Sequence, residues 1–140
     1  MLQRIQTIYL VAAFICTGLL FYFPFWSSEK NTGLVSFGAG THLILFVLTS
    51  LLGTIQFISI FLFRKRKIQI TFCWIGLLMA MSYISLVLIL YIQENQGITN
   101  FLAGIHLGAI FPILIILFKY LAIRNISKDE NLIRSMNRLR

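Results

Sequence analysis

Residues 68–92 read IQITFCWIGLLMAMSYISLVLILYI, an apolar run that contains no charged side chain. A helix needs about 20 apolar residues to cross the ~30 Å hydrocarbon core of a bilayer. The run therefore predicts a membrane-spanning helix. A spanning strand would be about half as long and would alternate apolar with polar residues, which this run does not do.

Three further runs of similar length occupy residues 5–26, 41–63 and 101–123. None has an Asp, Glu or Arg in its interior, and we expect Lys119 to snorkel from the end of the last run. With 59% hydrophobic residues and a mean hydropathy of +0.88, the chain carries too much apolar surface for a water-soluble protein. The sequence predicts an all-α membrane protein, with a four-transmembrane-helix bundle in residues 1–123 and a cytoplasmic tail in residues 124–140.

The basic residues lie almost entirely on one side of these runs, which predicts the orientation of the bundle. That side carries Arg4, Arg64, Lys65, Arg66, Lys67, Lys119, Arg124, Lys128, Arg134, Arg138 and Arg140. The loops on the other side carry only Lys30. Because cytoplasmic loops are enriched in Lys and Arg, both termini are predicted to be cytoplasmic. The net charge of +8 is thus attributed to membrane topology and to anionic lipid, not to nucleic acid.

The tail contains a helix-start pattern, Ser127-Lys128-Asp129-Glu130, in which Ser127 would be the N-cap and Glu130 its capping-box partner. Apolar residues follow at helical spacing, with arginines between them. The pattern predicts a separate, short amphipathic helix that lies on the membrane surface or docks on a partner.

The two halves of the chain resemble each other. FGAGTHL at 37–43 matches FLAGIHL at 101–107 in five of seven positions. Since each unit would begin in the cytoplasm, the pattern favours two parallel helical-hairpin repeats.

This alignment sets His42 and His106 at a similar depth near the outer surface. Two imidazoles on facing helices suit haem ligation or contact with a quinone headgroup. Alternatively, each histidine simply bonds a hydroxyl, a carbonyl or interfacial water. The outer side offers no arginine for haem propionates, and we expect no cofactor.

Other polar and small residues in the runs favour helix packing. Thr49 and Gln56 continue the seven-residue spacing of His42, with Gly53 on the same face. Gly104 and Gly108 form a GxxxG pattern, and Pro112 favours a kink. The spans hold no carboxylate, and no catalytic, phosphate-binding or metal motif is present.

We therefore expect a non-catalytic accessory or structural subunit of a larger membrane complex, with no catalytic residues and no metal. The alternatives are a haem- or quinone-binding subunit using His42 and His106, and a small oligomeric transporter. Expected partners are membrane lipids and other membrane subunits or further copies of the chain.

Both ends of the chain resemble one known family. MLQRIQTIYL at 1–10 is similar to its opening M-(I/L)-Q-R-I-Q-T-(hydrophobic)-Y-L. LAIRNISKDE at 121–130, with LIRS at 132–135 and RLR at 138–140, is similar to its tail, and Met136-Asn137 departs from that pattern. The family comprises small four-span inner-membrane proteins of Bacteroidota, catalogued as a domain of unknown function, DUF4293.

The resemblance implies a bacterial inner-membrane location and assigns no activity. Its strongest motifs face the cytoplasm, where charges of both signs suggest docking against a partner or lipid. The predicted surface comprises Arg64, Lys65, Arg66, Lys67, Arg124, Lys128, Asp129, Glu130, Arg134, Arg138 and Arg140.

Overall fold

A computed structural model describes residues 2–30, 33–62, 65–94 and 106–138. Its elements in chain order are α1 (Leu2–Leu19), β1 (Trp26–Lys30), β2 (Gly33–Phe37), α2 (Leu43–Phe61), α3 (Arg66–Glu94), a 3₁₀ turn (Leu107–Ala109) and α4 (Ile110–Arg138). The described chain is mostly helical, as the sequence predicts. Long runs of Leu, Ile and Phe place apolar side chains on every face of these helices.

Three of these helices are long and apolar enough to cross a membrane, over Leu43–Phe61, Lys67–Gln93 and Leu107–Asp129. The apolar part of α1, Thr7–Leu19, is shorter. Many large apolar side chains on all four helices point outward, such as Leu43, Leu78 and Ile113. Such an outer surface suits contact with lipid.

The four helices pack in a ring. α1 lies against α2 and α4, and α3 lies against α2 and α4. One apolar cluster includes Cys16, Leu52, Ala80 and Ile115, and takes one of these residues from each helix. A second cluster around Leu10, Leu77 and Ile126 lies at the opposite end of the bundle.

The segment between α1 and α2, for which the sequence predicts a loop, folds into an antiparallel hairpin. Trp26 pairs with Phe37 and Lys30 with Gly33, so two residues connect the strands. The ring of Trp26 stacks on Phe37 with centroids 5.3 Å apart and meets Tyr91 of α3 edge-on. These aromatic contacts hold the hairpin against the end of the bundle.

The prediction of a separate tail helix beginning at Ser127 is wrong. α4 runs without interruption from Ile110 to Arg138, and Ser127 lies inside it. Ile123 and Ile126 are buried against Leu10 and Cys73, so packing continues past the predicted break. A helix that is already formed and packed gains nothing from a new N-cap.

Helix boundaries also differ from the predicted spans. α2 is slightly shorter than 41–63, α3 is longer than 68–92, and α1 ends at Leu19 before a turn that completes the first predicted run. The start of the fourth predicted run, residues 101–105, lies outside the described residues.

Candidate functional site

A layer of polar contacts crosses the middle of the bundle, between its two apolar clusters. Two pairs form it, Thr17 with Gln56 between α1 and α2 and Lys119 against Gly76 between α4 and α3, and we call these four residues the central polar layer. Thr17, Gln56 and Lys119 are each at most 2% exposed. On α4, Lys119 lies between Ile115 of one cluster and Ala122 of the other.

Lys119 does not snorkel as the sequence suggested. Its side chain is fully buried, and Nζ has no hydrogen-bond partner within the described part of the chain. The Lys119 head fills the space left by Gly76. A Cβ at position 76 would overlap Nζ and lie 2.9 Å from Cε of Lys119. A buried ammonium without a partner costs several kcal/mol, so intramembrane lysines of this kind are candidates for function.

Next to this lysine, polar groups extend toward the end of the bundle that carries the α2–α3 connection. Cys73 is fully buried and lies on α3 three residues before Gly76, and the Ser59 hydroxyl donates to the carbonyl oxygen of Ile55 at 2.7 Å. Gln69 Nε2 donates to the carbonyl oxygen of Ser59 at 3.0 Å. Cys73 and Cys16 are both free thiols. The structure thus buries an amine, a thiol, a hydroxyl and an amide inside the bundle.

On the other side of the layer, Thr17 Oγ1 lies 2.8 Å from Gln56 Oε1 and 3.0 Å from the carbonyl oxygen of Ala13. Two acceptors therefore compete for one hydroxyl proton, while Gln56 Nε2 has no partner among the described residues. Rotating the amide by 180° lets Nε2 donate to Thr17 and Thr17 donate to Ala13. In either orientation the pair joins α1 to α2.

Thr49 makes the corresponding link between α2 and α3. Its Oγ1 lies 3.0 Å from Tyr83 Oη and 2.7 Å from the carbonyl oxygen of Leu45. Thr49 and Gln56 thus face neighbouring helices, while Gly53 lies on the side of α2 toward Thr17. The sequence does not distinguish Tyr83, because a tyrosine within an apolar run resembles any other core aromatic residue.

His42 and His106 lie at the same end of the bundle, each as the residue before a helical segment. The His42 ring stacks on Phe37 at 5.5 Å, and its buried Nε2 has no partner among the described groups. His106 is exposed, and its Nε2 lies 2.9 Å from Ser27 Oγ. A shared haem would require both ring nitrogens to face one iron, but Ser27 occupies that nitrogen of His106.

Haem binding therefore stays a prediction that this geometry does not favour, and quinone contact stays a prediction. They would be rejected by a purified sample that lacks both Soret absorbance and bound quinone. The equivalent placement of the two histidines is compatible with an internal repeat, although residues 101–105 of the second unit are outside the described part.

Gly108 contributes to a backbone contact and not to helix–helix packing. Its N–H donates to the carbonyl oxygen of Pro24 at 3.2 Å, and His106 N–H donates to Phe25 at 2.9 Å. A Cβ on Gly108 would overlap the Pro24 carbonyl oxygen and lie 2.7 Å from that of Phe23. Pro112 is buried within the first turn of α4, where a proline removes no helical hydrogen bond. Gly104, its predicted partner, lies outside the described residues.

The predicted charged surface is partly described. Lys65, Lys67, Arg124 and Lys128 are exposed, whereas Asp129 is only 9% exposed. Arg66, Glu130, Arg134 and Arg138 lie within helices, but their side chains fall outside the description, as do Arg64 and Arg140 entirely. In the part of the chain that is described, no cluster of three or more His, Cys, Asp or Glu is placed to hold a metal ion.

A sequence profile for the family described as "Domain of unknown function (DUF4293)" matches residues 2–139. The chain belongs to the DUF4293 family. Comparisons with curated proteins and with solved structures give no match.

The two segments that resemble DUF4293 most specifically meet in the folded chain. Leu10 from the first segment and Ala122, Ile123 and Ile126 from the second belong to one apolar cluster, and Tyr9 of the first segment packs against it. The ends of the DUF4293 sequence therefore build one end of the bundle together. The sequence does not predict this contact, because the two segments are more than 100 residues apart.

Proposed function

We propose that the chain is a four-span protein of the bacterial inner membrane, with both termini in the cytoplasm, and that it acts as a non-catalytic accessory subunit of a larger membrane complex. Three long apolar helices support the first part of this proposal. α1 is about 27 Å long, and the turn after it adds Leu20, Phe21 and Phe23. Together these residues supply enough apolar length for a fourth crossing.

The distribution of charge along the bundle supports the orientation. Exposed Lys65, Lys67, Arg124 and Lys128 belong to the end formed by the α2–α3 connection and the second half of α4. The hairpin and the start of α4 form the opposite end, where Lys30 is the only Lys or Arg in the sequence from 20 to 42. Under the positive-inside rule the first end is cytoplasmic.

The continuity of α4 carries the proposal of a partner-binding role. Its apolar part ends at Asp129, yet the helix continues to Arg138, about 14 Å further. Ile126 and Asp129 are buried at the base of this extension, so it starts from a packed position. The sequence of this extension carries charges of both signs on a helix that is fixed at its base, which favours recognition of another protein over diffuse attraction to lipid.

The test is chemical crosslinking in native membranes, followed by purification of the full chain in a mild detergent. We expect a stoichiometric partner with the natural sequence and its loss in the double variant Arg134→Ala/Arg138→Ala. The control is Lys65→Ala/Lys67→Ala, which removes the same charge from the same membrane side but from another element. A protein that is strictly monomeric without a partner contradicts the proposal, and equal loss in both variants indicates general charge attraction.

A small oligomeric transporter is the second candidate, and the burial of Lys119 favours it. Ionisable groups in the interior of a membrane bundle often mark a path for ions or protons. Four helices enclose little space, so a path would require several copies of the chain. The protein reconstituted in liposomes should then show ion flux that Lys119→Met abolishes. Absence of flux at every oligomeric state rejects this candidate.

A further inference from the structure

Every exposed side chain of α4 between residues 110 and 129 lies on one stripe that faces away from the bundle. Its first four members are apolar or aromatic and between 48% and 60% exposed, namely Ile110, Ile113, Leu117 and Tyr120. Exposed Arg124 and Lys128 follow at steps of four residues, which keeps them on the same helix face. We call these six residues the outer stripe of α4. It changes from apolar to basic within about two turns, between Leu117 and Arg124.

The contacts between α3 and α4 fix the depth of the basic end of this stripe. The two helices are antiparallel, and Gly76 lies beside Lys119. Nine residues further toward the α2–α3 connection, Lys67 on α3 and Lys128 on α4 reach the same level, and both are exposed. Arg124 comes four residues before Lys128, so it lies about 6 Å closer to the middle of the bundle.

The length of the apolar face gives the same depth without reference to α3. The exposed apolar side chains of this segment begin at Leu107. About 20 helical residues cross the ~30 Å hydrocarbon core, so the far boundary of the core falls between Arg124 and Lys128. Arg124 therefore lies within the hydrocarbon, about 5 Å from its edge, whereas Lys128 reaches the headgroup region.

A cation at the depth of Arg124 requires an anion beside it. Helical side chains lean toward the N-terminus of their helix, which for α4 is the hairpin end, so this arginine starts toward the hydrocarbon core. The outer stripe contains no Asp or Glu, and neighbouring Asp129 is buried on another face of the helix. The balancing charge is therefore supplied from the lipid side of α4.

A phospholipid matches both parts of the outer stripe in the order in which they occur. Its phosphate fits a guanidinium, which binds two oxygen atoms of one phosphate at once, and a lysine supplies a second cation. Its acyl chain covers the apolar side chains that come before Arg124. Inorganic phosphate would leave this apolar face uncovered, and an acidic segment of a soluble protein would have to enter hydrocarbon to reach Arg124.

We propose that the outer stripe of α4 binds one phospholipid whose headgroup has a net negative charge, with the phosphate on Arg124 and Lys128 and an acyl chain along Leu117. A zwitterionic headgroup brings its own cation close to these side chains, so it is bound less well. The site requires that α4 cross the bilayer. It does not depend on a partner protein, because Arg134 and Arg138 of the partner test lie further along the helix.

The experiment compares two lipids that differ in headgroup charge and share the same acyl chains. Full-length protein is reconstituted in phosphatidylcholine vesicles, and spin-labelled phosphatidylglycerol or spin-labelled phosphatidylcholine reports the immobilised lipid fraction. Arg124→Gln/Lys128→Gln removes both cations of the stripe. Lys65→Gln/Lys67→Gln is the matched control, because it removes the same charge from the same end of the bundle but from another element. Thermal unfolding shows whether each variant is folded.

We expect the natural protein and the control variant to prefer phosphatidylglycerol severalfold, and Arg124→Gln/Lys128→Gln to lose that preference. Arg124→Lys keeps the charge and serves if the double variant fails to fold. Because an ammonium does not bind two phosphate oxygens in the fixed geometry of a guanidinium, the preference should fall part-way in Arg124→Lys.

Four results would overturn the proposal. The natural protein shows no preference between the two lipids, or both double variants lose the preference equally, which indicates general charge attraction. Excess inorganic phosphate displaces the labelled phosphatidylglycerol, which identifies a site for free phosphate. A photocrosslinker at position 124 captures a protein in place of lipid in native membranes, which assigns this face to a protein interface.

Discussion

At the scale of single residues, the position of Lys119 in α4 explains why the sequence does not predict its burial. It shares a stripe of α4 with buried Pro112, Ile115, Ala122 and Ile126, at intervals of three and four residues. In a helix that is apolar all round, that stripe is not visible as a pattern. Helical side chains also lean toward the helix N-terminus. In the proposed orientation this direction leads Lys119 away from the cytoplasmic surface and onto Gly76.

The Gly76–Lys119 contact predicts opposite effects for two substitutions. Lys119→Met replaces an unpaired buried amine with an apolar side chain of similar length, so we expect the free energy of unfolding to stay equal or rise by about 1–4 kcal/mol. Gly76→Ala forces a methyl group into the lysine head, and we expect a loss of about 1–3 kcal/mol. Thermal unfolding in one detergent compares the variants.

The double variant Gly76→Ala/Lys119→Ala tests whether the two effects share one contact. Removing the lysine head gives the new methyl group room, so the double variant should recover part of the stability lost in Gly76→Ala. Simple addition of the two single effects would show that the residues are independent.

Gly108 predicts a second stability effect, at the opposite end of the bundle. Gly108→Ala would collide with the backbone of residues 23 and 24, which cannot move like a flexible side chain, so we expect a loss of about 1–3 kcal/mol. Gly40→Ala is the control, because a Cβ there meets nothing within 4 Å. Equal unfolding temperatures for the two variants would contradict the Pro24–Gly108 contact.

At the scale of elements, α4 shows the limit of a local motif. The S-x-x-E pattern at 127–130 indicates a helix start only where the preceding residues are not helical. Here the residues before it pack against α1 and α3, and that burial outweighs a capping gain of about 1 kcal/mol. The apolar and basic residues after Ser127 prolong a helix that already exists.

This continuity predicts the effect of Ser127→Ala. In a helix interior, alanine is favoured over serine by roughly 0.5 kcal/mol, so the variant should be as stable as the natural protein or slightly more so. Hydrogen exchange of residues 127–138 should show equal or greater protection. If Ser127 were an N-cap, the same change would lower protection by about tenfold, the equivalent of about 1 kcal/mol or slightly more.

The hairpin is the element that sequence periodicity failed to predict. The first strand reads WSSEK, with one apolar residue in five positions, so it has no apolar–polar alternation that would indicate a strand beside runs of more than 20 apolar residues. Its stability depends on Phe25 and Trp26 packing against Tyr83 and Tyr91, which come from a helix more than 50 residues later. Two-stranded hairpins are marginal without such support.

At the scale of the whole molecule, the proposed orientation predicts a labelling pattern. Lys30→Cys at the end of β1 and Lys65→Cys between α2 and α3 lie at opposite ends of the bundle. In intact cells an impermeant maleimide should label the first and not the second, and permeabilisation should expose both. The native Cys16 and Cys73 are buried and give a low background.

The opposite labelling pattern would invert the proposed orientation. Labelling of both cysteines in intact cells would reject the arrangement of spans. Either outcome would also move the α4 extension away from the cytoplasm and remove the basis for the partner test.

Composition alone determines the helical class and the approximate position of each apolar run. The placement of Lys and Arg adds a prediction of the orientation. These features are set by each segment alone, because backbone groups in lipid must bond within a helix and cations partition to one side. The family could also be anticipated, since the motifs at Met1–Leu10 and Leu121–Glu130 are contiguous in sequence.

Only the tertiary structure decided which polar residues meet. Thr17 with Gln56, Thr49 with Tyr83, and Gly76 with Lys119 join positions at least 34 residues apart, and their partners depend on how each helix is rotated. When every face of a helix is apolar, its own sequence does not fix that rotation. The shapes of neighbouring helices do, through the fit of small residues against large ones.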